Sequence, residues 1–230
     1  MLVSEVMLQQ TQVSRVEAAW PAFVATYPTP ASMAAASAGD VIRAWGRLGY
    51  PRRARRLWEA ANAIHGGGWP DDLRELPGVG RYTAGAVAAQ ADGVDVPAVE
   101  VNIRRVVERV EGRILTEREA ERVMMRIGRG MAPRDRLLAL MDVGARICTA
   151  RDPACVDCPL RRRCATRGVL TGERKHRQSR FAGSFRQRRG EVLAELRTGP
   201  ADVGRLDAAA LASLAGDGLA VVEGTRARLP

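Results

Sequence analysis

Lysine is nearly absent from this sequence. Lys175 is the only one among 36 basic residues, so arginine carries the positive charge. A GC-rich coding bias explains arginine over lysine, but it does not explain a formal excess of +10 over 230 residues, which suits a polyanionic partner. Aromatic residues are scarce too, at 4%. With alanine dominant, the composition disfavours an extensive sheet and favours helices packed through small side chains, so the chain is expected to be all-α. No stretch approaches the roughly 20 apolar residues that a spanning helix needs, which sets membrane proteins aside. Met1 leads directly into an amphipathic segment rather than a basic and then apolar leader, so the expected compartment is the cytoplasm.

Cysteine is limited to four residues, all in one short segment: Cys148, Cys155, Cys158 and Cys164, spaced C-x6-C-x2-C-x5-C. In a cytosolic chain disulfides are disfavoured, and four thiols this close in sequence indicate a metal site. Zinc and a [4Fe-4S] cluster both accept four thiolates; zinc usually prefers two tight C-x2-C pairs, and this segment has one. Arg146, Arg151, Arg161, Arg162 and Arg163 surround the cysteines, so a metal here could brace a loop that offers arginines to phosphates.

Periodicity organises the remainder. Val3, Val6, Met7, Val13, Val16, Trp20 and Phe23 predict a core-facing helix pair broken at Pro21. Thr29-Pro30 is a helix start, Asp40 opens a helix from Val41 to Leu48, and Arg52–Ile64 forms another that ends in a glycine turn. Residues 174–189 are basic and lack apolar periodicity, as in a linker. Beyond them come two short helices and a hairpin turning at Glu223-Gly224-Thr225, a winged-helix-like order. The expected division is a helical barrel domain over 1–94, a cluster domain over 95–168, a linker over 169–188 and the small module over 189–230.

Leu76-Pro77-Gly78-Val79-Gly80 precedes a small-residue helix. Two glycines before a helix start expose backbone N–H groups that can hold a phosphate. Arg52, Arg53, Arg55 and Arg56 crowd the start of a helix, the wrong end for cations facing the dipole. Either a phosphate backbone or solvent is expected to neutralise them.

Ser4-Glu5-Val6-Met7-Leu8-Gln9-Gln10-Thr11-Gln12, WGRLGY over 45–50, LPGVGRYTAG over 76–85, MDVGARICT over 141–149 and the cysteine spacing follow one another as in a known family. From Met1 to about Cys164 the chain resembles the adenine glycosylases of the endonuclease III, or helix-hairpin-helix, superfamily. The resemblance implies a barrel domain joined to a [4Fe-4S] domain, with Cys148, Cys155, Cys158 and Cys164 as ligands. It implies a monomer acting on double-stranded DNA that holds adenine opposite 8-oxoguanine or guanine. Cleaving the base–sugar bond needs a proton donor at the base and a negative charge near the sugar, because the transition state is oxocarbenium-like. By resemblance Glu5 is the donor, on an apolar helix where loss of water favours the neutral acid. Glu100 takes the sugar-side role, Tyr82 and Asn102 support the reacting centre, Gln10 wedges into the stack, and Thr11 and Leu48 read the base opposite. Tyr50, Arg52, Arg53, Pro77, Gly78, Val79 and Gly80 would contact DNA.

The sequence departs from the family at three places. The family has Asp where this chain has Glu100; glutamate caps helices poorly, and its extra methylene moves the charge, so reduced or altered catalysis is expected. A segment that precedes the catalytic helix in the family is missing, so the start is expected to be truncated or misassigned. The C-terminal region is too short for the Nudix-like domain of many relatives. Tyr82 occupies the position of the lysine nucleophile of bifunctional relatives, which implies base release without efficient strand cleavage. A mismatch thymine or uracil glycosylase, and an iron–sulfur DNA-binding protein with an impaired site, are the competing readings.

Overall fold

In the computed structural model the described residues are 1–173 and 180–230, so the middle of the expected linker, 174–179 with Lys175, lies outside them. They form two compact units. One holds Val3–Gly78 together with the described C-terminal residues, and the other holds Met1–Leu2 and the chain from Val79 through Glu173. The division falls inside the glycine turn rather than at the expected 94/95. The C-terminal module shares a unit with the N-terminal helices.

The first unit opens with α1 (Leu2–Leu8), α2 (Val13–Thr26), α3 (Pro30–Ala34), α4 (Ala38–Trp45) and α5 (Arg52–Gly67). The break expected at Pro21 falls instead between Leu8 and Val13, and α2 runs through the proline. Pro21 and Glu17 are both exposed, so the carbonyl that proline cannot serve can turn to water. Thr29 and Ser32 cap α3 reciprocally with Pro30 in the first turn, as the start signal implies. Ser37 rather than Asp40 caps α4, accepting from Asp40 N at 3.0 Å. The core gathers Met7, Phe23, Ile42, Trp45 and Leu57. Phe23 meets Tyr27 and Trp45 edge-on, with centroids 5.2 and 5.8 Å apart.

The same unit ends with α10 (Phe185–Thr198), β1 (Ala201–Asp202), α11 (Ala208–Gly216), β2 (Val221–Glu223) and β3 (Arg226–Arg228), whose antiparallel strands run in the order β1-β3-β2. The module follows the winged-helix-like order, with Asp207 capping α11. Its first strand is two residues long, too short for a period-two pattern to reveal. The module is seated on α4 and α5. Gly39 N donates to Pro230 O at 2.6 Å, a Cβ at Gly39 would lie 2.4 Å from that oxygen, and Arg43 Nε donates to Arg197 O at 3.1 Å.

In the second unit α6 (Arg81–Val87) runs into a π-helical turn over Ala88–Asp92, followed by α7 (Val101–Glu111), α8 (Glu117–Ile127) and α9 (Pro133–Asp142), which ends in a second π-helical turn over Val143–Ile147. Ile103, Val107, Leu115, Met124, Leu137 and Leu140 form its core. Among the described residues no helix is long and apolar enough to cross a membrane.

Candidate active site

Glu5 lies in the middle of α1 and is buried, at 7% exposure. The short helix that carries it is anchored by Arg53. One guanidinium nitrogen of Arg53 donates to Val6 O at 2.7 Å, Met7 O at 2.9 Å and Gln9 O at 2.5 Å. The other reaches Thr11 Oγ1 at 2.8 Å and Gly49 O at 3.2 Å. The Trp45 and Tyr50 rings flank it, with centroids 5.2 and 5.4 Å away. The last carbonyls of a helix are unpaired acceptors at the negative end of its dipole, and a planar cation with five donors fits them. Burial lowers the Arg53 pKa to about 10, which leaves it charged near neutrality. This corrects the expectation that Arg53 faces a phosphate: it is spent on the protein's own backbone.

Its neighbours are also engaged. Arg52 pairs with Asp217 at 3.0 Å. Arg55 pairs with Glu59 at 2.9 Å and donates to Asp217 O at 2.9 Å. Acceptors within the unit therefore meet much of the charge that solvent or phosphate was expected to neutralise. Leu48 is buried, at 5% exposure, so its side chain packs in the core rather than facing a base. Thr11 Oγ1 lies 3.3 Å from Gln9 O and 3.5 Å from Leu48 O. Gln10 and Tyr50 are exposed and hold left-handed backbones, φ 54° and 47°. Such conformations cost about 1–3 kcal/mol outside glycine and concentrate at ligand-contacting positions.

In the glycine turn, Gly78 adopts φ +80°, and a Cβ there would lie 2.8 Å from the Arg56 side chain. Gly80 precedes α6 in an extended conformation without a side-chain cap, and the space beside its Cα is open. Pro77 is half-buried and Val79 buried, so the turn is anchored while Gly80 is exposed.

Glu100 is the N-cap of α7, and its Oε1 accepts from Ile103 N at 2.8 Å. The expectation of a poor cap is thus corrected: the longer side chain still reaches the first turn. Asn102 Nδ2 donates to Glu100 Oε2 at 3.0 Å. Arg105 in turn donates to Asn102 Oδ1 at 2.9 Å, Gly144 O at 2.5 Å and Cys148 O at 2.6 Å. A chain of polar contacts therefore runs from the carboxylate to the first cysteine. Gly144 permits it, since a Cβ there would lie 2.8 Å from Asn102 O. Tyr82 is half-buried, and its hydroxyl donates to Met141 Sδ at 3.7 Å.

Cys148, Cys155, Cys158 and Cys164 line one cavity together with Arg109 and Arg161, and none is in a disulfide. Among the described residues no three metal-ligating side chains are grouped as for a single ion; the cysteines are instead distributed around the cavity wall. Arg109 holds the cavity's edge. It donates to Cys148 Sγ at 3.4 Å, Thr149 O at 2.8 Å and Glu173 at 2.5 and 2.8 Å, while Cys164 Sγ donates to Arg109 O at 3.3 Å. Burial pushes the Cys148 thiol up, against the pull of Arg109. Four soft donors with two arginines beside them suit an anionic thiolate-bound group.

Arg105, Arg109, Gly144 and Glu173, which link Asn102 and the cysteine cavity through these contacts, are positions that the sequence reading missed. Arg105 and Arg109 stand one turn apart on a helix whose other positions include Ile103, Val106, Val107 and Val110, all buried, and two cations at that spacing were the available signal.

The family model for the HhH-GPD superfamily of base excision DNA repair proteins matches residues 3–129. The adenine DNA glycosylase of Mycolicibacterium smegmatis is 44% identical over 215 residues, spanning 89% of this chain and 73% of the relative. That of Mycobacterium tuberculosis is 45% identical over 222 residues, 90% of this chain and 72% of the relative. The human adenine DNA glycosylase is 36% identical over 195 residues, 79% of this chain and 36% of the relative. Among solved structures, a thermostable thymine-DNA glycosylase superposes with a TM-score of 0.65 at 27% identity, over 72% of this chain and 82% of that one. Endonuclease III in a non-covalent DNA complex gives 0.61 at 26% identity over the same shares.

Proposed function

This chain belongs to the HhH-GPD superfamily of base excision DNA repair proteins, and from that premise we propose that it is an adenine DNA glycosylase. The observation that carries this reading is 44–45% identity to adenine DNA glycosylases over about nine-tenths of the chain. Its substrate in this proposal is duplex DNA with adenine opposite 8-oxoguanine or guanine, and the protein acts as a monomer.

Two carboxylates in different settings support the chemistry. Glu5, buried on α1, protonates the adenine ring as the base leaves. Glu100, oriented by the Ile103 N–H and the Asn102 amide, provides negative charge against the oxocarbenium-like sugar. Tyr82 offers no amine for a covalent intermediate, so water completes the reaction and an abasic site remains. Gln10, exposed and held at φ 54°, enters the stack while the target base is turned out. Gly80 and the first turn of α6 receive a backbone phosphate.

The four cysteines fit a [4Fe-4S] cluster, held by Cys148, Cys155, Cys158 and Cys164. Bound there, the cluster would brace the loop and its arginines without entering the base-release reaction.

The test is a single-turnover assay on a labelled duplex with adenine opposite 8-oxoguanine, treated with alkali to reveal abasic sites. Alkali-dependent cleavage is expected, and Glu5→Gln should abolish it. Binding without base release by cluster-loaded protein would refute the proposal.

A further inference from the structure

In the second unit a cleft of about 930 Å³ opens beside the first turn of α6, the exposed side of α8 and the turn that follows it. Six arginines line it, Arg81, Arg118, Arg122, Arg126, Arg129 and Arg136, against only two carboxylates, Asp95 and Glu121. Three of the arginines are engaged locally: Arg81 with Glu121 at 2.9 Å, Arg126 with Glu111, and Arg136 with Asp95. Among the described residues, Arg118, Arg122 and Arg129 have no ion-pair or side-chain hydrogen-bond partner, and all three are exposed.

Two features mark this as more than a solvated face. Arg118, Arg122 and Arg126 follow one another at i,i+4 on α8, a spacing at which like charges repel. Meanwhile Arg136 is carried into the protein with its side chain only 3% exposed, and its Nε has no hydrogen-bond partner. It passes beneath Gly128, where a Cβ would lie 2.3 Å from it. That Nε is closed to solvent, so Arg136 adds buried positive charge to the wall, and the groups open to an anionic acceptor are the exposed Arg118, Arg122 and Arg129.

We propose that this cleft takes the sugar–phosphate backbone of the duplex flanking the lesion. Arg81 directly follows Gly80, so the cleft begins where the phosphate-receiving turn ends, and α8 extends that hold along the strand. Guanidinium groups suit phosphodiesters because they pair with them bidentately. The inference rests on the reading of the protein as a DNA glycosylase.

The test is the salt dependence of duplex binding, followed by fluorescence anisotropy, for the full chain and an Arg118→Ala/Arg122→Ala/Arg129→Ala variant. Each lost phosphate contact should reduce the slope of log K against log salt by about one, so a decrease of two to three is expected. The variant's melting temperature should be unchanged or slightly higher, because repulsion along α8 is relieved. An unchanged slope would overturn the inference. So would an unchanged slope together with lost affinity for a fluorescent nucleoside diphosphate or a polyglutamate peptide, which would assign the cleft to a free phosphate ligand or an acidic protein segment. Wild-type protein that binds duplex with the expected slope but releases no base would refute the glycosylase reading and leave the cleft assignment standing.

Discussion

Asn102 Nδ2 donates to Glu100 Oε2 at 3.0 Å while the other oxygen of the same carboxylate accepts from Ile103 N at 2.8 Å. One residue is therefore both helix cap and candidate charge stabiliser, and the two roles can be separated. Glu100→Gln keeps an oxygen for the cap but removes the charge. Base release should fall by about 10²–10³-fold with little change in melting. Glu100→Asp shortens the side chain and keeps a good cap; base release is expected to rise by about tenfold if the extra methylene misplaces the charge. Unchanged rates in both variants would remove Glu100 from the chemistry.

Arg53 should matter for stability before it matters for DNA. It serves three carbonyls at the end of α1, so Arg53→Ala strands buried acceptors and is expected to cost about 1–3 kcal/mol for each one left unmet, read by urea denaturation. Arg53→Lys should recover only part of this, since one ammonium cannot span acceptors on both sides of the guanidinium fork. A cost below about 1 kcal/mol in the alanine variant would mean that α1 is held by other contacts.

The two turn glycines predict opposite behaviour. Gly78 holds φ +80° against the Arg56 side chain, so Gly78→Ala should destabilise by about 1–2 kcal/mol or more and weaken duplex binding as a consequence. Gly80 has open space and an ordinary backbone. Gly80→Ala should melt normally yet bind duplex more weakly, because its methyl would stand where a phosphate must approach. Equal melting and equal binding in both variants would dissociate the turn from DNA.

The cysteine loop is expected to carry about four irons per folded chain, measured by metal analysis of protein purified without air. Cys158→Ser, or removal of iron by a chelator, should open the segment over residues 148–173 to proteolysis while the first unit stays resistant. A zinc content of one per chain with no iron would contradict the cluster assignment.

Much of this was legible in the residues because it is local. The Thr29-Pro30 start, the Asp207 cap, the glycine turn and the cysteine spacing each lie within a few residues of their partners. The contacts that redefine the site are not local. Arg53 reads as a surface cation until the carbonyls of Val6, Met7 and Gln9, 44–47 residues away, close on it. Arg105 joins Asn102 to a cysteine loop 43 residues further along. Leu48 lies in a motif that suggests base contact, and only packing shows it in the core. Pro21 marks a helix end by local rule, but its exposed position let α2 continue. Glu100 looks like a weak cap by residue preference, and the torsions of its longer side chain, which no spacing encodes, bring its oxygen onto Ile103 N.

The most direct measurement is a comparison of single-turnover base release from three duplexes that differ only at one pair, A opposite 8-oxoguanine, T opposite G and U opposite G, with the freed base identified by mass. Adenine should be released at least ~100-fold faster than either pyrimidine, a difference of about 2.7 kcal/mol in barrier. Release of thymine or uracil with adenine left in place would contradict the adenine assignment and make this chain a mismatch pyrimidine glycosylase on the same scaffold.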